Sequence, residues 1–125
     1  MQEYERRPDR IKRREAWIRN NPDYKWSYHS INNHRLSGCK INFSIDWLRE
    51  KAKATANCEY CGLSILYGGH GHKPNMATLD RYTNTKTLTK KNIRIVCMGC
   101  NAGKGNGSLQ EYYDRCMAVA RLHSL

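Results

Sequence analysis

Apolar residues are sparse along this chain and come in short clusters. Ile11 and Ile18 form a weak stripe that predicts a helix over about residues 9–20, and Asn20-Asn21-Pro22 is its stop. The stretch of about 21–43 sets Tyr24, Trp26 and Tyr28 among Asn, Ser and Gly and yields no assignment. Ile41, Ile45, Leu48 and Ala52 then fall at helical spacing behind Ser44 as a cap, which predicts a helix near 45–56 with Trp47 packed beside it. A cysteine-rich turn, the loop GGHGHKPN and a short strand over 76–80 come next. After a polar loop rich in Thr and Lys, residues 92–96 read as a second strand, with Ile93 and Ile95 on one face and Arg94 on the other. Ser108 followed by Glu111 is a capping box, opening a last helix through about residue 123 whose inner face carries Leu109, Tyr112, Cys116 and Ala120. The chain shows no internal repeat and no low-complexity tract.

With 125 residues these elements make one small α+β domain, large enough to bury roughly two-thirds of its unfolded surface. Its core is thin, because only 39% of residues are hydrophobic and the mean hydropathy is −0.85. No apolar run approaches the roughly 20 residues of a membrane span. The opening MQEYERRPDRIKRR has no stretch of signal-peptide type, so a cytoplasmic protein with no membrane association is expected.

Charge changes the picture more. Lys and Arg number 22 against 11 Asp and Glu, a formal charge of +11, which attracts polyanions: nucleic acid above all, with acidic lipid or an acidic protein equally compatible with composition. Residues 6–14 hold Arg6, Arg7, Arg10, Lys12, Arg13 and Arg14 against Asp9 alone, giving residues 1–44 the character of a basic N-terminal arm. Residues 70–107 hold Lys73, Arg81, Lys86, Lys90, Lys91, Arg94 and Lys104 against one acid, Asp80. A lone carboxylate among so many cations is either a surface partner, worth ~0–1 kcal/mol, or a functional group.

Six cysteines in a chain without an export signal point to metal or catalysis in preference to disulfides. Cys58-Glu-Tyr-Cys61 and Cys97-Met-Gly-Cys100 are two C-x2-C units, the spacing by which a tight turn aims two thiolates at one tetrahedral ion; together they predict a closed, structural zinc site, with two unrelated redox pairs as the alternative. Glycine after Cys61 and before Cys100 favours such turns. The 35 residues between the pairs exceed the ~15–20 of a zinc ribbon, so a small module is inserted there. Cys39 and Cys116 stand outside this pattern, as do His29, His34 and His123.

The segments Thr78-Leu79-Asp80-Arg81, Asn92-Ile93-Arg94-Ile95-Val96-Cys97 and Cys100-Asn101-x-x-Lys104-Gly105-Asn106 occur in one order across the two cysteine pairs. In this combination the chain resembles the HNH endonucleases of the His-Me finger, or ββα-metal, class over about residues 45–110. The resemblance implies an HNH nuclease domain over 45–125, ending in the C-terminal helix: a β-hairpin packed on a short helix, stapled by zinc and flanked by helices. It also implies an enzyme that cuts or nicks DNA to 5′-phosphate and 3′-hydroxyl ends with one Mg2+ or Mn2+, as phage, mobile-element and restriction nucleases do. By the same resemblance Asp80 is the metal-binding acid, Asn101 the second metal ligand and Asn92 the residue bracing the loop. A carboxylate with an amide oxygen suits Mg2+, which keeps several waters and takes only one or two oxygens from protein.

The departure falls at Arg81, where relatives carry the histidine that activates water. A guanidinium stays protonated and cannot be a general base, although it can hold phosphate or stabilise transition-state charge. His70 and His72, with an ordinary pKa near 6.5, are the candidate bases in the glycine loop; otherwise the base is missing. Lys73, Lys86, Lys90, Lys91 and Lys104 are candidate phosphate contacts near the cleft, and Arg6 to Arg14 along the arm. Trp26, Tyr24 and Tyr28 either stack on bases or pack in the core. Two rivals remain from other classes: a zinc-stapled nucleic-acid-binding module without hydrolysis, and a basic domain that docks on an acidic protein.

Overall fold

The computed structural model describes residues 8–68, 73–83 and 85–125. Helix α1, Pro8–Asn20, buries none of its residues. It is tied to the body through Trp17, whose ring meets Tyr24 edge-on at 5.0 Å and lies 5.6 Å from the Arg49 guanidinium. Helix α2, Pro22–Leu36, starts with proline in its first turn, where the missing N–H costs nothing, and ends with His34 and Arg35 facing the negative end of the helix dipole. It buries Ser27 and Ile31, one turn apart, and occupies most of the stretch left unassigned by its sequence.

Strand β1, Lys40–Asn42, follows, and then helix α3, Ile45–Ala54, where the Ser44 hydroxyl accepts from Trp47 N at 3.1 Å and Leu48 and Ala52 are buried as their spacing predicts. The hairpin consists of β2, Ala77–Arg81, antiparallel to β4, Ile93–Cys97, with Ala77 opposite Cys97 and Asp80 opposite Arg94. Between them β3, Thr87–Thr89, pairs in parallel with β1, Leu88 opposite Ile41. The hairpin leads directly into helix α4, Met98–Lys104, which packs on both of its strands. The strands, the capped helices and their order agree with the sequence reading within about two residues; α2, β1 and β3 are additions to it. The whole is an α+β fold.

Leu48, Leu88, Ile93, Ile95 and Val96 are fully buried and define the centre of the core. No break in packing marks residue 44, because α2 lies on α3 and β1 is bonded to β3. From Pro22 on, the expected basic arm is part of the folded body.

The edge of β2 that faces away from β4 is closed by α2. Trp26 Nε1–H donates to Ala77 O at 2.9 Å, and His34 Nε2 lies 3.0 Å from Leu79 O. These are alternate carbonyls of one strand edge, and Ala77 N on the same side donates to Leu66 O at 2.8 Å.

Helix α5, Leu109–His123, is capped as predicted, with the Ser108 hydroxyl accepting from Glu111 N at 3.1 Å. Its expected inner face is realised only in part: Leu109, Tyr112 and Ala120 are half-buried, no residue of α5 is fully buried, and Cys116 is exposed. The first turns dock where Tyr112 rests on Gly103 of α4. A Cβ at that glycine would come 2.7 Å from the tyrosine ring.

Candidate metal centre and adjoining cleft

The two C-x2-C turns meet in space. The Sγ atoms of Cys58, Cys61, Cys97 and Cys100 all lie within 4.8 Å of one another, with Cys61 and Cys97 at 3.8 Å. The hairpin causes this: β4 ends at Cys97, the chain turns into α4 to bring Cys100 back, and Glu59 N donates to Ile95 O at 3.0 Å, docking the first turn on β4. Gly62 closes that first turn with φ of +79°, a left-handed value that favours glycine. Gly99 has no such role, since it sits in α4 where an added Cβ would make only ordinary contacts.

Backbone amides point at the sulfurs. Cys58 Sγ accepts from Cys97 N at 3.2 Å and from Tyr60 N and Cys61 N at 3.4 Å. Burial pushes the Cys58 thiol up, but these amides outweigh it and bring its pKa down to about 7. Burial raises Cys61 and Cys100. The Tyr112 hydroxyl donates to Cys100 Sγ at 3.4 Å, so α5 contributes to the outer shell of the cluster. Four converging sulfurs form a possible site for a thiophilic ion, with no position left for a substrate.

Beside the hairpin is a cavity of about 200 Å³ lined by His34, Asp80, Arg81, Asn101, Lys104 and Asn106, with Leu79 and Gly105 completing the wall. Asp80, next to last in β2, is 8% exposed. Its Oδ2 accepts from the Tyr60 hydroxyl at 2.7 Å and lies 3.2 Å from Lys104 Nζ. Burial and the Asp80 charge both raise the Tyr60 phenol pKa, so Tyr60 acts here as a donor. Asn101 Nδ2 donates to Thr78 Oγ1 at 3.0 Å, and that hydroxyl donates to Val96 O at 2.9 Å. The Thr78 proton is therefore committed, which orients the Asn101 amide with its nitrogen on Thr78 and its carbonyl oxygen turned away.

Of the residues singled out in the sequence, Asp80, Arg81, Asn101 and Lys104 converge on this cavity. Lys104, a candidate phosphate contact, lines the cavity with a side chain only 3% exposed, and its Nζ also donates to Arg81 O at 3.2 Å. Arg81 directs a guanidinium N–H to Thr85 O at 2.8 Å. Asn92 is not in the cavity wall. It braces the loop, with Oδ1 accepting from Thr89 N at 2.8 Å and Nδ2 donating to Thr87 O at 2.8 Å. Lys73, Lys86, Lys90 and Lys91 are exposed, as are Arg10, Lys12, Arg13 and Arg14 on α1; Arg13 pairs with Asp9 at 3.5 Å, and Lys90 stands 5.6 Å from the Trp47 ring. Trp26 packs, meeting Tyr67 edge-on at 5.1 Å. Arg6, Arg7, His70 and His72 lie outside the described residues.

His34 is the cavity residue that sequence reasoning passed over. No motif surrounds it and it lies 46 positions before Asp80, in a stretch without readable periodicity, so no local signal marked it. No protein-family model, no curated protein and no solved structure matches this chain.

Proposed function

We propose that this protein is a zinc-stapled, metal-dependent endonuclease of HNH type that cuts or nicks DNA. The observation that carries the reading is the convergence of Asp80 and Asn101, from a strand and from the helix after the second cysteine pair, on one cavity walled by cations. A tetrahedron with Zn–S bonds of ~2.3 Å has S···S edges of about 3.8 Å, the spacing of Cys61 and Cys97, so the four cysteines fit zinc.

The cavity's donors also fit a hard divalent ion. Lys104 and Tyr60 both engage Oδ2 of Asp80, so the ion would take Oδ1 together with the Asn101 carbonyl oxygen, keeping most of its waters. When bound, Mg2+ or Mn2+ would supply charge stabilisation at the phosphate and the leaving oxygen. The chain's own groups do the rest: Lys104 holds Asp80 in place, Asn92 fixes the loop beside the hairpin, and Arg81 presents a cation to phosphate. Lys73, Lys86, Lys90, Lys91 and the exposed cations of α1 supply affinity for the backbone.

Supercoiled plasmid incubated with the protein in Mg2+, Mn2+ or chelator tests this. Nicked or linear product that needs the ion supports the enzyme, and its absence with every divalent ion overturns it. A second reading, a nucleic-acid-binding module, rests on Arg81 standing where the HNH pattern has histidine; it expects binding without product.

Affinity should depend on salt. Duplex binding is expected to weaken at a log–log slope of about −0.9 per phosphate neutralised, so replacing Lys12, Arg13 and Arg14 with glutamine should flatten the slope by at most about 2.7. A titration over several salt concentrations reads this directly, and a flat dependence in the full chain would favour an acidic protein partner.

A further inference from the structure

We propose that His34, carried by α2, is the general base of the cleft, resting on the nuclease reading above. A carbonyl oxygen can only accept, so the 3.0 Å contact with Leu79 O places a proton on Nε2 of His34. In the neutral ring Nδ1 is then a bare acceptor, and the ring lines the same cavity as Asp80 and Asn101.

The neighbours narrow the choice. Arg81 and Lys104 are cations, the Asn101 and Asn106 amides are poor bases, and Asp80 is taken by Lys104 and the proposed ion. Among the residues that line the cavity, His34 alone offers a basic nitrogen lone pair. The charges facing it are Asp80 and Arg81 from β2 and Lys104 from α4. Burial, with Arg81 assisting, lowers its pKa against the opposing effects of Leu79 O and Asp80, which keeps it neutral and able to accept a proton at physiological pH.

Its position is also held from behind. His34 O accepts from Ser37 N at 3.2 Å and Cys39 N at 3.0 Å, and Gly38 turns with φ of +86°, sending the chain back into β1 and its pairing with β3. The residue is therefore fixed by the turn behind it and by the edge of β2 in front of it.

In the step itself, Nδ1 takes one proton from a water as the water oxygen bonds to phosphorus. The bond between phosphorus and the 3′-oxygen breaks with its electron pair going to that oxygen, which takes a proton from solvent. The ring then releases its own proton to solvent. The products are a 5′-phosphate and a 3′-hydroxyl.

The test compares wild type, His34→Ala, His34→Gln and His29→Ala, the last an exposed residue on the same helix. A positioned base is worth about 10²–10⁴-fold, so both His34 variants should nick plasmid at least ~100-fold more slowly while binding duplex with unchanged affinity. His29→Ala should match wild type. Glutamine keeps a donor for Leu79 O and guards against mere loss of the fold. Added imidazole should restore cutting to His34→Ala, whereas pyrazole, of the same shape and far less basic, should not. In the zinc-loaded protein without Mg2+ or Mn2+, nitrogen NMR should show the His34 ring with its proton on Nε2. Undiminished cutting by both His34 variants, equal rescue by pyrazole, or a proton on Nδ1 would each overturn the assignment and leave the nuclease reading standing. A wild type that cuts with no divalent ion would overturn both.

Discussion

Cys97→Ser is expected to leave the protein unfolded or aggregated and free of zinc. A structural zinc is worth ~10–16 kcal/mol at pH 7, whereas a domain of this size has ~5–15 kcal/mol in total. Cys97 also caps α4, its sulfur accepting from Cys100 N at 3.3 Å. Serine is among the best residues for that cap, so loss of the fold in this variant reports on the ion and not on the helix end. Elemental analysis and a thermal melt read the outcome, with the exposed Cys116→Ser as the silent control. A soluble, folded, zinc-free wild type would remove the four-cysteine site.

The second large effect is at Asp80, where one substitution would remove both the ion pair seen in the structure and the metal ligand proposed above. Its carboxylate balances Lys104, a cation almost wholly removed from water, at 3.2 Å. Removing one member of a buried pair costs on the order of 3–5 kcal/mol, because the other charge is left without compensation. Asp80→Asn should therefore lower the melting temperature by roughly 10 °C or more, as well as slowing cutting by at least about 10²-fold. Pairing it with Lys104→Met, which removes the stranded charge and fills similar space, should restore most of the stability and none of the cutting. Melts and nicking rates on the single and double variants separate the two roles. A double variant that melts as low as Asp80→Asn would deny the ion pair, and one that cuts like wild type would deny Asp80 its place in the chemistry.

What could be read from the sequence was local. Caps at Ser44 and Ser108, the Ile93/Ile95 alternation and the paired cysteines each leave their mark within a few residues, and each recurs in the structure. What could not be read depends on distant contacts. Helix α2 packs through Ser27 and Ile31 and bonds through Trp26 and His34, a seam too mixed in polarity for hydropathy to register. Strands β1 and β3 have three residues each and exist because the chain brings positions 40–42 beside 87–89. The same distance concealed His34. Lys104 is a different case: its charge marks it as a candidate phosphate contact, and only the fold shows the carboxylate that draws it inside. On α5 the periodic face was legible, but nothing in a period tells whether a neighbour is there to cover it.

The α2 seam along β2 bears on how this protein avoids sticking to itself. A two-stranded hairpin ends in open edges, and an open edge with free carbonyls is a template on which any other extended chain can add itself. Here Ala77 and Leu79 direct those carbonyls into the Trp26 and His34 rings instead of solvent. The N-terminal third is thus a guard as much as a contributor to the cleft. A chain shortened to begin at Ile45 would retain all four clustered cysteines and every predicted metal ligand, yet present a bare strand on its flank, with self-association as the direct consequence.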